Sequence, residues 1–340
     1  MKKPYLFSLF IFIFLSMASA QGELFFYNWT DYTNPDLIAK FEKETGIKVT
    51  LDSYDSNETL LAKLKSGATG YDIIVPTNNF VPILIAEGLL EPINAPELSG
   101  YANIDPRWQN PEWDPGNVYT IPWQWGTTSF TVNTSKYTGP IDSLEILFNP
   151  PVELQGQIGM FNAPDDVIAM AQNYLGLPPC NESAEDMKKV QDLLLAQKPF
   201  VKLYNSENIN ERMSTEEVYA HAQWNGSAMR SRLANPAVQY VFPKEGIVTW
   251  MDNLAVAKGA PNKENAIKFL EFMMQPENAG LQSNYPKYAN GILGSEAFMD
   301  EELRNAPEMG VPEGIPTTFT PACSEKAIEL MDRVWTKVKQ

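Results

Sequence analysis

Histidine is almost missing from this 340-residue chain, with His221 the only one. One imidazole cannot build a histidine-rich metal centre, and no H-E-x-x-H or C-x-x-C offers another route to one. The sequence also lacks a G-x-S-x-G elbow, a Walker loop and a G-x-G-x-x-G turn. Those absences leave elbow hydrolases, P-loop enzymes and dinucleotide enzymes without a motif. Cysteine is scarce too: Cys180 and Cys323 are the only two, and neither has a recognisable nucleophile context. No metal and no cofactor is expected. His221 reads as an ordinary helix residue in "VYAHAQ".

Positive charge is short as well. There are 26 Lys and Arg against 42 Asp and Glu, a net charge of −16. Such a surface repels nucleic acid and anionic lipid and draws cations from a distance; the plainer reading is solubility. Long apolar runs are absent but for one, in "MKKPYLFSLFIFIFLSMASA". Two lysines, an apolar stretch and Ala18-Ser19-Ala20 form a secretory signal peptide cut after Ala20. The stretch is short for a membrane span of about 20 residues. Residue 21 is Gln, so no cysteine stands there for a lipid. Cleavage takes Lys2 and Lys3 with it and leaves 24 basic residues against 42 acidic ones, a net charge of −18. The remaining length exceeds one ordinary core, so two domains are expected. Export permits a disulfide between Cys180 and Cys323, but spacing alone does not decide it.

What is present is an α/β alternation. "ELFFYN", "IKVTLDSY" and "YDIIVPT" read as strands. "NPDLIAKFEKETG", with Leu37, Ile38 and Phe41 on one face, reads as a helix, as do "SNETLLAKLKSG" and "NFVPILIAEGLL". Such a β-α-β-α-β series implies a largely parallel sheet with right-handed crossovers. Residues 95–126 read as loop, followed by the strand "TTSFTVNT". A second alternation fills 140–249: strand "QIGMF", helices "DVIAMAQNYLG" and "SAEDMKKVQDLLLAQ", "EEVYAHAQW" as a helix running into a strand, and strand "VQYVFP". "NLAVAKGA" is another strand. "NKENAIKFLEFMMQPENAGLQSN" is one helix, or two parted near Pro276, and "SEKAIELMDRVWTKVKQ" is an amphipathic helix.

Ligands of parallel sheets bind beyond the carboxyl ends of the strands. Aromatics and acids gather at such ends. "YNWTDY" supplies Trp29, Thr30 and Tyr32 beside Asp31. "NAPDD" supplies Asp165 and Asp166 at a helix start, where capping alone would also explain them. "QWNGSA" supplies Trp224 and Ser227. "TWMDNL" supplies Trp250 and Asp252 just before a strand, and "KYANG" supplies Tyr288. Each ring taken singly is as well explained by packing. Together they share one chemistry: ring faces attract cations, and carboxylates make charge-assisted hydrogen bonds to ammonium groups. A slot lined by both suits an elongated alkyl-amine.

Over nearly its whole mature length the chain resembles the periplasmic polyamine-binding proteins, the spermidine/putrescine receptors of bacterial ABC transporters. The resemblance rests on "YNWTDY", "FEKETGIKV", "SNETLLAKLKSG", "YDIIVPT", "IPWQWGTT", "WNGSA" and "PKEGIVTWMDNLAV" in that order. It implies a two-domain α/β Venus-flytrap fold, each domain a mixed sheet flanked by helices, with 21–126 and 254–306 in one lobe and 127–253 and 307–340 in the other. It implies a periplasmic, monomeric binder that closes on its ligand and delivers it to an inner-membrane permease. Trp29 and Tyr32 would be aromatic walls and Thr30 a polar contact. Thr77 stands where the family has a serine contact. Asp166, or its neighbour Asp165, would bind one terminal amine. Trp224 and Trp250 would sandwich the alkyl chain, Asp252 would pair with an amine, and Tyr288 would close the slot.

Three positions depart from or divide the family. Asn79 stands where spermidine-preferring members have a tyrosine, and Cys323 where a member has a glutamine contact. Ser227 follows the spermidine-preferring version rather than the aspartate of putrescine-preferring members. The expected function is therefore capture of spermidine, with putrescine weaker, without catalysis. The rivals are another cationic or zwitterionic amine, a sensory ectodomain, and a secreted hydrolase pairing Asp165 or Asp166 with Asp252. The candidate segments hold no arginine, which argues against an amino-acid site.

Overall fold

The computed structural model describes residues 22–67, 70–319 and 321–340. The signal-peptide reading falls outside them. No described helix is long and apolar enough to cross a membrane.

The strands in chain order are β1 (Glu23–Trp29), β2 (Lys48–Tyr54), β3 (Ile73–Ile74), β4 (Leu90–Glu91), β5 (Thr120–Asn133), β6 (Ile158–Met160), β7 (Val201–Tyr204), β8 (Ala220–Trp224), β9 (Val238–Val241), β10 (Ile247–Ala257), β11 (Ala289–Asn290) and β12 (Thr317–Phe319). The sheet runs β2-β1-β3-β10-β5-β8-β6-β7, with β4 and β12 on β10 and β9 and β11 on β5. Two parallel blocks, β2-β1-β3 and β8-β6-β7, lie on either side of the long pair β5 and β10. That pair is antiparallel, and so are its joins to β3 and β8. This is a mixed α/β fold.

Local sequence accounts for the crossovers. Leu37, Ile38 and Phe41 are the buried face of the Pro35–Thr45 helix, which Asn34 caps and Gly46 ends in a left-handed turn. Ser56 caps the Asn57–Lys65 helix. Pro276 starts a new helix, so the long run after Asn262 is two helices, Lys263–Met273 and Pro276–Asn284.

The apolar side chains divide between two main clusters. One gathers Phe26, Trp123, Leu254 and Phe269; the other gathers Phe130, Phe161, Val190 and Val334. Strand β5 serves both, with Ile121 and Trp123 in the first and Phe130 and Val132 in the second. Each fully buried large side chain contributes about 2–3 kcal/mol, so the strand ties two cores into one backbone element. Cys180 and Cys323 form a disulfide across 143 positions of sequence.

Three readings change. Strand β5 begins at Thr120, inside the stretch read as loop. Pro122 donates no hydrogen bond to a ladder. It sits opposite Asn253, beside a register shift in β10, where the ladder is already interrupted. The helix expected in "EEVYAHAQW" is missing: helix Ile209–Ser214 stops earlier, Glu216 has φ 62°, and β8 follows. His221 is thus a strand residue, fully buried, and burial pushes its imidazole down to about 4, so it is neutral near pH 7. Trp250 and Asp252 lie within β10 rather than before it.

Candidate functional site

The carboxyl ends of β1, β3, β6 and β8 face one cleft, open at its mouth. All eleven residues singled out from the sequence line it, and so does Asn79. Cys323 is not among its lining residues and is bonded to Cys180, so no lost cleft contact can be assigned to it.

The first wall is the turn after β1. Asn28 pins it: its Oδ1 accepts from the Trp29 amide at 2.7 Å and its Nδ2 donates to Thr33 Oγ1 at 2.7 Å. Asp31 turns the chain with φ 55°. The Trp29 indole donates to the Val75 carbonyl at 2.9 Å, and its ring packs 4.6 Å from Tyr54. Thr30 spends both its amide and its hydroxyl on the Tyr54 carbonyl, at 3.1 and 3.3 Å. Tyr27, although part of the same aromatic motif, is absent from the cleft lining and stacks on Tyr71 at 4.4 Å.

Tyr32 carries the wall to its first acid. Its hydroxyl donates to Asp252 Oδ2 at 2.7 Å, and its ring meets Trp123 at 5.2 Å and Tyr288 at 5.5 Å. Asp252 sits at the irregularity of β10 and is only 4% exposed. Its Oδ1 is buried with no partner. Burial pushes the carboxyl up to about 8, against the Tyr32 hydrogen bond that lowers it. Trp250 crosses Tyr288 edge to face at 5.2 Å, and its indole nitrogen is buried and unpartnered. Gly126 makes room for that ring, since a Cβ there would lie 2.7 Å from it.

The second acid group opens the Pro164–Leu175 helix, whose first turn holds Asp165 and Asp166. The helix dipole favours negative charge there. Asp166 accepts from Thr128 Oγ1 at 2.9 Å and from the Trp224 indole at 3.2 Å. Asp165 accepts from the Asp166 amide at 2.9 Å and from the side chains of Asn79 and Asn57. Even so, burial raises both carboxyls, and Asp165 pushes Asp166 well above its ordinary value. Trp224 stacks on Phe161 at 4.4 Å, which fixes its indole. Ser227 accepts from Gln223 at 2.9 Å, and its amide donates to the Tyr288 hydroxyl. Thr77 accepts from the Asn57 side chain and donates its amide back to Asn57 Oδ1 at 3.2 Å.

Among the described residues, six acids line the cleft, namely Asp31, Asp55, Asp165, Asp166, Glu207 and Asp252, against the single base Arg230. Arg230 was missed, although it lies one helical turn beyond Ser227 and so on the same face. Its Nη1 donates to the Asp31 carbonyl at 3.4 Å, and its Nε is buried without a partner. Arg230 thus gives the folded cleft the arginine that the candidate segments lack, and an amino-acid ligand is not excluded on that ground. Asn57 was also missed, because at a helix start it reads as a capping residue. No group of three or more metal-ligating side chains occurs among the described residues.

A profile of the bacterial extracellular solute-binding proteins matches residues 36–311. The chain belongs to that family. It is 30% identical over 343 residues to a putrescine/agmatine-binding protein of Pseudomonas aeruginosa, covering 95% of this chain and 94% of that one. It is 34% identical over 297 residues to a spermidine/putrescine-binding periplasmic protein of Escherichia coli, covering 86% and 85%. Its fold is similar to a solved putative spermidine/putrescine ABC transporter protein of Listeria monocytogenes, with TM-score 0.88, 29% identity, and 94% and 99% of the two chains covered. The two-domain periplasmic-binding-protein fold follows from these likenesses.

Proposed function

We propose that this member of the family captures a polyamine in the periplasm, spermidine ahead of putrescine, and hands it unchanged to an ABC permease. The observation that carries the reading is the free Oδ1 of Asp252, a buried acceptor amid aromatic rings. A buried carboxylate without a cation costs several kcal/mol. An ammonium group at that oxygen removes the cost. Asp165 and Asp166 take the amine at the other end, and the rings of Trp29, Trp224, Trp250 and Tyr288 hold the methylenes between. Thr30, Tyr32 and Thr77 shape the walls, and Ser227 leaves the length open that an aspartate there would close.

Two lobes, 21–126 with 254–306 and 127–253 with 307–340, close on the ligand, so that transport is a population shift between open and closed forms. The division of the core into two clusters that share β5 supports this. The signal peptide is cut after Ala20, and the protein works as a monomer. The names of the relatives support the ligand class, and the family supports a binder rather than a hydrolase. Both Asp166 oxygens being held by Thr128 and Trp224 also suits a fixed acceptor better than an exchanging acid.

Arg230 favours a second reading, an amine that also carries a carboxylate. Calorimetry on the ligand-stripped mature protein separates the two. Spermidine, putrescine, spermine, cadaverine and arginine are titrated in turn. One-to-one binding with spermidine tightest is expected. Tight binding of arginine alone would give the site to a zwitterion, and no heat with any amine would remove the ligand reading altogether.

A further inference from the structure

Gln282 is absent from the cleft lining; it lies in the Pro276–Asn284 helix and is only 1% exposed. A polar side chain so buried has to be paired, and tying two elements together is its ordinary task. Its partners are more particular. Its Nε2 donates to the Tyr32 carbonyl at 2.6 Å and to Oε1 of Gln124, in strand β5, at 3.2 Å. Its Oε1 accepts from the Asn34 amide at 3.1 Å. A carbonyl only accepts and a backbone N–H only donates, so the carboxamide can sit only this way round. Asn34 adds a fourth tie, from its Nδ2 to the Leu281 carbonyl at 2.8 Å. The turn after β1 is thus fastened to this helix on both sides of Thr33, just after Asp31 has turned the chain. The same helix leads on to Tyr288, whose ring meets that of Tyr32 at 5.5 Å, while Trp123 meets it at 5.2 Å.

We propose that Gln282 is a positioning residue of the amine site: by fixing the backbone of Tyr32 it sets the tyrosine hydroxyl on Asp252 Oδ2 and so leaves Oδ1 as the oxygen for the ligand's ammonium group. The inference rests on the amine reading of the cleft. A tyrosine side chain is a rigid ring on two torsions, and Trp123 and Tyr288 confine both. With the torsions confined, the hydroxyl goes where the backbone goes. It stands 2.7 Å from Oδ2, and such a bond is made only between about 2.5 and 3.0 Å. A turn released from Gln282 therefore loses its aim on Asp252 before it loses its fold. Asp252 then has two bare oxygens, and the ammonium group has no single seat. The ionised form of Asp252 also loses the one hydrogen bond that favours it.

Methionine has the length of glutamine without its hydrogen bonds, which makes Gln282→Met the informative change. The full mature protein, Gln282→Met, Tyr32→Phe and the double variant are titrated with spermidine from about pH 6 to 9, where the ligand amines stay charged. Thermal melts check folding. Asp252, raised to about 8, ionises in this range in the empty protein. Tyr32, Tyr54, Tyr288 and Asp166 are the other groups that feel its charge. The tyrosines stay neutral there, and Asp166 is common to all four proteins, so its share cancels. Gln282→Met is expected to bind about tenfold more weakly near pH 7. It is also expected to move upwards the pH at which affinity levels off, as Tyr32→Phe does. Added to Tyr32→Phe, it is expected to weaken binding by less than about twofold more. Losses that multiply would overturn the role, because the two residues would then act independently. So would a lower Tm with unchanged affinity and pH profile, the mark of a merely structural helix residue. Asn34→Ser keeps a helix cap and drops the tie to Leu281, and a loss of about threefold in the same sense is expected. It carries the test if the methionine variant does not fold, and an unchanged affinity and profile there would overturn the role. Wild-type protein that takes up no spermidine would instead overturn the amine reading on which this rests.

Discussion

The two acid groups of the cleft are built to opposite plans. Asp252 has one protein partner, the Tyr32 hydroxyl, and one buried oxygen left bare. Asp166 has a donor on each oxygen, from Thr128 and Trp224, and Asp165 is served by a backbone amide and two asparagines. Asp252 sits inside a strand at a ladder irregularity. The aspartate pair sits on a helix start. A bare acid needs its ligand for charge balance, while a furnished pair mainly presents an aimed acceptor. Binding energy should therefore be concentrated at Asp252 and spread out at the pair.

The sharpest way to break this contrast is the pH dependence of stability without ligand. The Asp252 carboxyl rises from an ordinary 3.8 to about 8 on folding. At about 1.4 kcal/mol per tenfold, ionising it in the fold costs on the order of 5 kcal/mol. The sign is that of an acid raised by folding: its contribution is whole below about pH 4 and is lost as pH climbs towards 8. Asp252→Asn cannot ionise, so it should gain on the wild type steadily between those limits. Melts of stripped protein across the window read this as a widening difference in Tm. A difference that stays constant with pH would mean that Asp252 is not a bare acid.

The next largest effect is on affinity. Asp252→Asn should weaken spermidine binding by at least about 2 kcal/mol, the scale for breaking a buried charge pair. The same substitution thus stabilises the empty protein and damages the filled one. That opposition identifies a group held ready for a cation. Calorimetry at about pH 8 decides it, and undiminished binding would remove Asp252 from the site.

How much of this was legible beforehand follows from the same physics. Helix faces were, because Leu37, Ile38 and Phe41 recur at helical spacing and Asn34 and Gly46 mark the ends. The convergence of Trp29, Asp165, Trp224 and Asp252 was legible because loop-end aromatics and acids share one chemistry and one family resemblance. The strand at Pro122 and the strand identity of His221 were not. Both depend on a partner strand far away in sequence, which local pattern does not contain.

The smallest effect tests the furnished end. Trp224→Phe keeps a ring against Phe161 but removes the indole donor to Asp166. One hydrogen bond to a charged group is worth about 1.5–3 kcal/mol where nothing replaces it, and less where the acceptor keeps others. Thr128 still serves the other oxygen, and the ligand ammonium can use the one set free. Spermidine affinity should therefore fall by only about 1 kcal/mol, roughly fivefold. The empty protein should feel the change as a further rise of the Asp166 carboxyl, since that hydrogen bond favours the ionised form. A loss as large as that of Asp252→Asn would show that the pair is no more self-sufficient than the lone aspartate, and the contrast between the two ends would fail.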